Sequence, residues 1–224
     1  MERQRRKIAV LGGTGAQGSG LALRLAAAGH QVTIGSRSAE KAQAAASVLS
    51  KRLGGKPVAG ADNRQAAGGA EIVFLAVPYA AERATVEHVS DQLDGKILVD
   101  TTAPLMPPKV GTVQLPEGQS AVAAVQRMLG SAVKVVSAFQ NVSAEHLSAL
   151  DHAVDCDVLV CGDDRAACDV VIGLCEDIGL RGFHAGAIQN SAAAEALTSL
   201  LIAINRRYKI AGSGIRITGL PKEK

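Results

Sequence analysis

The chain has 224 residues, of which 47% are hydrophobic and only 2% aromatic, and its formal net charge is +3. This length allows one large domain, or a nucleotide-binding domain with a smaller lobe. The small net charge excludes a strong general attraction to nucleic acids or membranes, so we expect neither as a partner. The core has to be built from Ala, Val, Leu and Ile, a composition that suits helices packed on a parallel sheet.

Hydrophobic runs alternate with segments of helical periodicity along the chain. The predicted strands are 7–13, 31–36, 57–59, 71–78, 96–104, the beginning of 132–145, 154–164 and 180–186. The predicted helices are 17–28, 38–54, 63–68, 80–93, 120–130, 164–179 and 191–209, with a loop at 106–119. This alternation predicts an α/β fold with a Rossmann-type, doubly wound parallel sheet.

The pattern of elements changes near residue 140. We therefore expect a dinucleotide-binding Rossmann domain at 1–140 and a small C-terminal α/β lobe at 141–224 that contributes to the substrate site. The last predicted helix, 191–209, has an apolar face that is long and aliphatic for a free surface. This face predicts that the lobe forms a homodimer interface.

The cysteines and the apolar runs predict the compartment. The N-terminal apolar run is too short for a signal peptide, and no run reaches transmembrane length. The cysteines form no C-x-x-C pair, and no pair of histidines has zinc-binding spacing. We therefore expect a cytoplasmic protein without a metal site, with four reduced cysteines in its core: Cys156, Cys161, Cys168 and Cys175.

A glycine-rich segment follows the first predicted strand and opens the first predicted helix. Its glycines fit G-x-G-x-x-G at Gly13, Gly15 and Gly18, and this context predicts a dinucleotide-binding loop. Gly13 is expected to permit the tight turn, Gly15 to let the backbone approach a pyrophosphate, and Gly18 to let the helix pack closely. The helix N-terminus should face the anion. The variable positions should line the loop: Thr14, Ala16 and Gln17.

The end of the second predicted strand indicates which dinucleotide binds. A protein that binds NAD is expected to have Asp or Glu here, accepting hydrogen bonds from the ribose hydroxyls. This chain has Ser36 and Arg37 instead, with Lys41 one turn into the next helix. A hydroxyl and two cations suit the 2′-phosphate of NADP, so we expect NADP(H). In the alternative interpretation, Arg37 and Lys41 are ordinary solvated charges.

Longer stretches of the sequence resemble one family of oxidoreductases. GGTGAQGSGLALRLAAAGHQVTIGSRSAEKA is similar to the N-terminal region of the NADPH-dependent reductases of coenzyme F420, a deazaflavin. The similarity covers nearly the whole chain, continuing through FLAVPYAAE, KILVDTTAPL, VVSAFQNVSA, VLVCGDD, GLRGFHAG, NSAAAEALTSLLIAIN and GSGIRITG. The resemblance implies hydride transfer between NADP(H) and F420 as co-substrate.

The resemblance also implies roles for individual residues. Residues 14–17 are expected to hold the pyrophosphate, and Ser36, Arg37 and Lys41 the 2′-phosphate. Val77 and Ala81 are expected to flank the adenine or ribose. Further positions are expected near the nicotinamide: Ala103, Ala144 and Ser213. Three residues match positions that face the deazaflavin: Gln140, Asn141 and Thr198.

The sequence departs from the family pattern in the substrate half. Gln140 stands where well-known members have a His, and Ala192 stands where they have an Arg. Gln140 and Asn141 are equally compatible with hydrogen bonds to the deazaflavin and with hydrogen bonds to backbone groups at a strand end. The cofactor half of the pattern is unaffected.

Hydride transfer requires no catalytic side chain, and we name none. The cofactors carry the chemistry, while the protein supplies orientation and excludes water. Two other function classes stay open at this point. One is an NADP-dependent reductase of another acceptor, such as a flavin, a ferric complex, or a small carbonyl or imine. The other is an NADP-binding redox sensor without turnover.

Overall fold

The computed structural model describes residues 5–117 and 119–219. The strands are β1 (Lys7–Leu11), β2 (Gln31–Ser36), β3 (Ala59–Asp62), β4 (Ile72–Leu75), β5 (Ile97–Asp100), β6 (Lys134–Ser137), β7 (Asp157–Gly162) and β8 (Arg181–His184). The helices are α1 (Ala16–Ala27), α2 (Ala39–Arg52), α3 (Asn63–Gly68), α4 (Tyr79–Val89), α5 (Ala121–Leu129), α6 (Ala144–Ser148), α7 (Arg165–Asp177) and α8 (Ser191–Tyr208).

All eight strands belong to one sheet, in the order β3-β2-β1-β4-β5-β6-β7-β8. The first six are parallel and reverse their spatial order between β1 and β4, as in a doubly wound fold, so the predicted fold class is confirmed. β7 pairs antiparallel with β6 through two residue pairs, and β8 is parallel to β7. The antiparallel pairing was not predicted. The division at residue 140 stays a prediction, since β7 and β8 continue the same sheet.

The core is aliphatic, as the composition predicts, and lies on both faces of the sheet. Alternate residues of a strand point to opposite faces. In β1, Ile8 and Val10 therefore join the core under α1, α2 and α7, while Ala9 and Leu11 join the core under α3, α4 and α5. All four cysteines are buried free thiols, as predicted. Within the described residues, no helix is long and apolar enough to cross a membrane.

Side chains cap the start of several helices, which fixes where those helices begin. Ser38 accepts a hydrogen bond from Lys41 N at α2, and the N-terminal residues of α3, α5 and α7 are capped in the same way by Asp62, Ser120 and Asp164. Helix α1 differs, because its N-cap is Gly15 and no side chain caps it. Its first N–H groups are therefore left for another partner.

Two elements differ from the sequence prediction. β3 lies at Ala59–Asp62 rather than 57–59, because Pro57 cannot donate to a strand ladder and pairing with β2 begins at Ala59. The short helix α6 was not predicted at all. It packs on α1, where the Arg24 side chain donates to four carbonyl oxygens in α6 and in the segment just after it: His146, Leu147, Ala149 and His152. These tertiary contacts, rather than helical periodicity, account for α6.

The chain after α8 returns to the sheet. Asp157, at the start of β7, donates its backbone N–H to Ile215 O over 2.8 Å. Its side-chain Oδ2 accepts a hydrogen bond from Ile217 N over 2.6 Å. Gly212 lies close to Ser143, since an added Cβ would be 2.7 Å from Ser143 Oγ. The segment that contains Ser213 therefore lies beside the N-terminus of α6.

Candidate functional site

The glycine-rich loop makes the tight turn between β1 and α1. In this turn the residue with positive φ is Gly12, at +75°. Gly13 requires glycine for a different reason, because a Cβ would lie 2.8 Å from Val10 O and from Ile34 Cγ2. Gly18 supports close packing of the helix as predicted, since its Cβ would lie 2.6 Å from Gly12 O.

The loop fits a pyrophosphate group. Gly15 is exposed in an extended conformation and, among the described residues, no side chain caps the N-terminus of α1, which begins just after it. Thr14 and Ala16 are also exposed beside it. Free N–H groups at the positive end of a helix are suited to bind phosphate oxygens.

A cavity of about 330 Å³ lies at the carboxyl end of β2, and we call it the Arg37 cavity. It brings together most of the residues predicted to hold the adenosine half of the cofactor. Within the described part of the chain, neither Arg37 nor Lys41 forms an ion pair, so both charges remain for a ligand. The cavity is lined by Gly12, Thr14, Gly15, Ser36, Arg37, Ser38, Lys41, Asn63, Ala76, Val77, Pro78, Ala81 and Thr85.

A second cavity, of about 560 Å³, lies beyond the carboxyl ends of β4 and β5, and we call it the Gln140 cavity. It shares Gly15 and residues 76–78 with the Arg37 cavity, so the two form one continuous cleft along the edge of the sheet. Ligands of doubly wound folds bind at this edge. The lining comprises Gly15, Ala16, Gln17, Ala76, Val77, Pro78, Tyr79, Ala80, Thr101, Thr102, Ala103, Leu105, Pro107, Val110, Gln140 and Thr198.

Gln140 and Thr198 meet at one wall of this cavity. Gln140 Nε2 donates to Asp100 O and to Ser137 Oγ, each over 2.9 Å, while Gln140 Oε1 is buried without a partner in the described structure. Thr198 Oγ1 donates to Gln140 O over 2.9 Å. The Gln140 amide nitrogen thus bonds to the ends of β5 and β6, and the amide oxygen is left without a donor among the described residues.

Other predicted residues lie outside the two cavities. Asn141 is buried, and its Nδ2 donates to Asp157 O over 2.7 Å. Ala144 begins α6, and Ser213 Oγ donates to Leu201 O over 3.2 Å. Their roles in binding stay predictions. Ala192, in the first turn of α8, also lies outside the cavities.

Several residues that line the cleft were not predicted from the sequence. Asn63 and Thr85 stand beside Ser36 in the Arg37 cavity, and Tyr79 stands in the Gln140 cavity. The sequence could have predicted the place of Asn63, because Asn63 follows β3 at the same edge of the sheet as Ser36. The sequence indicates the place of Tyr79 less clearly, since Tyr79 is only the first residue of the helix after β4.

Three buried carboxyl groups lie near one another, and we call them the acid cluster: Glu82, Asp100 and Glu195. Glu195 is satisfied, because it accepts from Ser120 Oγ over 2.7 Å and from two N–H groups at the start of α5. Burial raises the pKa of the Glu82 carboxyl, and the neighbouring Asp100 raises it further. Burial likewise raises the pKa of Asp100.

Replacing Glu82 with Gln is expected to stabilise the protein at alkaline pH. Because folding raises the pKa of Glu82, the wild type loses stability as pH rises above the ordinary glutamate value of about 4.3. Glutamine has the same shape without this cost, so Glu82→Gln should be about 1 to 2 kcal/mol more stable at pH 8. Urea unfolding across a pH series measures the difference.

The matched control is Glu87→Gln, on the exposed face of the same helix, where Glu87 pairs with Arg83. This change should alter stability little at any pH. A Glu82→Gln protein that is less stable than the wild type at pH 8 would contradict the account of the acid cluster.

The fold and the cleft define a Rossmann-type dinucleotide-binding protein. The family model described as NADP oxidoreductase, coenzyme F420-dependent, matches residues 7–104. An F420-dependent NADP reductase of Methanocaldococcus jannaschii is 44% identical over 222 residues, covering 96% of this chain and 99% of that protein. Another, of Methanothermobacter thermautotrophicus, is 42% identical over 225 residues and covers 97% of each chain. The chain belongs to the family of F420-dependent NADP reductases, which confirms the resemblance found in the sequence.

Solved structures agree with this assignment. A proposed F420-dependent NADP reductase from Arthrobacter sp. FB24 is 33% identical, with a TM-score of 0.79, covering 95% of this chain and 99% of that one. The pyrroline carboxylate reductase of Plasmodium falciparum, solved with NADP bound, has a TM-score of 0.60 at 14% identity, covering 91% of this chain and 66% of that one. At that identity the second similarity concerns the fold alone.

Proposed function

We propose that this protein transfers a hydride between NADP(H) and coenzyme F420. The observation that carries the proposal is the continuity of the two cavities. A cation-lined pocket that suits a 2′-phosphate and a larger pocket that suits two rings share Gly15 and residues 76–78. The family to which the chain belongs supports both the cofactor and the acceptor.

The residues of the cleft divide the binding of NADP(H) between them. Residues 14–17 hold the pyrophosphate at the N-terminus of α1, and Ser36, Arg37 and Lys41 bind the 2′-phosphate. Val77 and Ala81 flank the adenosine. Close to the nicotinamide we place Ala103 and, from the family pattern, Ala144 and Ser213.

The deazaflavin occupies the rest of the Gln140 cavity. When both are bound, the nicotinamide C4 supplies a hydride to C5 of the deazaflavin, and a proton from solvent completes the reduced ring. Gln140 and Thr198 line this part of the cavity, and Thr198 Oγ1 fixes the Gln140 backbone by donating to Gln140 O. Asn141 lies outside the cavity and acts indirectly, because its Nδ2 donates to Asp157 O at the start of β7. Within this cleft the protein orients the two rings and excludes water.

The proposal is tested by following NADPH oxidation with F420 as acceptor. We expect turnover with NADPH and F420, and little with NADH or with FMN. Turnover with FMN, a ferric complex or a small imine, but not with F420, would favour an NADP-dependent reductase of another acceptor. Saturable NADPH binding without oxidation by any acceptor would favour a redox sensor.

We also infer that the protein is a cytoplasmic homodimer. Four buried free thiols support a reducing compartment. Leu200, Ile204 and Tyr208 stand exposed at intervals of four residues along α8, so they form one apolar stripe. Burying such a stripe against a second copy would remove it from water.

Light scattering is expected to give twice the chain mass of 22.9 kDa. Replacing Leu200 and Ile204 with Glu places two charges in the stripe and should yield a monomer. The control is Val48→Glu, an exposed apolar residue of α2 outside the stripe, which should leave the mass unchanged. A wild-type monomer at micromolar concentration would contradict the homodimer.

A further inference from the structure

The acid cluster contains two carboxyl groups whose hydrogen bonds are incomplete. The buried side chains of Glu82 and Asp100 are neighbours, since each perturbs the pKa of the other. Asp100 Oδ1 accepts from Thr102 N over 2.9 Å. Three buried atoms have no hydrogen-bond partner among the described residues: Asp100 Oδ2, Glu82 Oε1 and Thr102 Oγ1. The single hydroxyl of Thr102 lies near both carboxyls and can donate to only one of them. Two ionised carboxylates cannot bond to each other, so one carboxyl oxygen stays unsatisfied.

One proton resolves this deficit. A single proton on Glu82 supplies the hydrogen bond between the two carboxyls and leaves one negative charge on the pair. Within the described chain, no Lys or Arg forms an ion pair with either group. The third member, Glu195, adds a like charge nearby, although its own charge is stabilised by the N-terminus of α5.

Asp100 lies directly behind the wall of the Gln140 cavity, whereas Glu82 lines a separate cavity of about 610 Å³; Tyr79 lines both cavities. Asp100 is the last residue of β5, and Thr101, Thr102 and Ala103 line the cavity immediately after it. Asp100 O also accepts a hydrogen bond from Gln140 Nε2 over 2.9 Å. The buried charge is therefore connected to the cavity wall in two ways. Residues 101–103 directly follow Asp100 in the chain, and Gln140 donates to Asp100 O.

We propose that the Glu82–Asp100 pair holds one proton and one negative charge behind the nicotinamide, and that this charge stabilises the cationic oxidised ring over the neutral reduced ring. The inference rests on the proposed function, because it requires the nicotinamide to occupy the Gln140 cavity. The charge favours hydride departure from NADPH by stabilising the product ring. Neither residue touches the reacting atoms, so both act through the field of the pair.

The test compares the affinities of the apoprotein for NADP⁺ and NADPH by titration calorimetry, without F420. The two nucleotides share their adenosine, pyrophosphate and 2′-phosphate, so the ratio of their dissociation constants isolates the ring. For a separation of about 10 Å and an effective dielectric constant of about 20, one charge changes this ratio about tenfold.

Four variants separate the charge from the shape of the pair. Asp100→Asn leaves a buried Glu82 that stays protonated, and the double change Glu82→Gln with Asp100→Asn is neutral with both shapes kept. Both should lower the relative affinity for NADP⁺ about tenfold. Glu82→Gln alone retains the charge on Asp100 and should keep the wild-type ratio. Glu87→Gln is the surface control.

The wild-type protein provides a second arm that needs no substitution. Burial and Asp100 raise the pKa of Glu82 to about 9, so the pair should lose its proton as the pH rises through this value. The preference for NADP⁺ should then increase, and Glu82→Gln should abolish the increase. Tyr79 also faces the pair and its pKa is raised by burial and by Glu82, so Tyr79→Phe should retain the increase.

A neutral double variant with a ratio within about twofold of the wild type, or a wild-type ratio that does not change with pH, would overturn the proposal. Failure to bind either nucleotide would overturn the proposed function as well, whereas activity without F420 specificity would not affect this test.

Discussion

Replacing Arg37 and Lys41 together with Ala is expected to lower the affinity for NADPH about 100-fold and to leave the affinity for NADH unchanged. Charge-assisted hydrogen bonds contribute about 1.5 to 3 kcal/mol each, and the lower value applies because both side chains are exposed. Two such losses total about 3 kcal/mol, which corresponds to about 100-fold. Binding titrations with each nucleotide measure the effect.

Lys51→Ala is the matched control for this change. Lys51 lies on the same helix as Lys41 but in its last turn, and it does not line the Arg37 cavity. It should leave the affinities for both nucleotides unchanged. Equal losses of NADPH and NADH affinity in the double variant would mean that Arg37 and Lys41 do not bind the 2′-phosphate.

Replacing Gly15 with Ala is expected to abolish dinucleotide binding while the protein stays folded. Gly15 has φ −82° and ψ 166°, a conformation that any residue adopts. The added Cβ would lie 3.3 Å from Gly12 O, a contact that a small shift relieves. The methyl group would however occupy the surface shared by both cavities, so affinities for NADPH and NADH should each fall at least about 100-fold.

The control for this variant is Gly173→Ala, inside α7, where an added Cβ meets nothing within 4 Å. This change should keep binding intact and raise stability slightly, because Ala is the better helix former. Circular dichroism and thermal unfolding verify that the Gly15→Ala protein is folded. A folded Gly15→Ala protein with wild-type affinity would contradict the placement of the pyrophosphate on this loop.

Local patterns in the sequence predicted most of the fold. The central strands are short apolar runs, and the capping residues Ser38 and Asp164 fix where their helices begin. Helix α6 escaped prediction because Arg24, which holds the chain beside it, is more than 100 residues distant in sequence. The antiparallel β7 escaped prediction because strand direction depends on tertiary pairing that a single strand sequence does not encode.

The candidate site was predicted where its residues follow a motif and missed where they meet only in space. Arg37 and Gly15 follow from the spacing of one βαβ unit. Asp100 and Glu195 come close because α8 packs against α5, and no local pattern in the sequence records their proximity. Gly12 was missed because the fingerprint places its first glycine at Gly13, although the positive φ falls one residue earlier.

The most direct test of direct hydride transfer between two rings in one cleft uses NADPH that carries deuterium at the transferred position of C4. The protein is incubated with this nucleotide and F420, and the reduced F420 is analysed by mass spectrometry. We expect one deuterium in each molecule of reduced F420, retained in ordinary water, because the rings meet in the Gln140 cavity without an exchanging intermediate. Reduced F420 without the label, or no reduction of F420 by a folded protein that binds NADPH, would contradict the account.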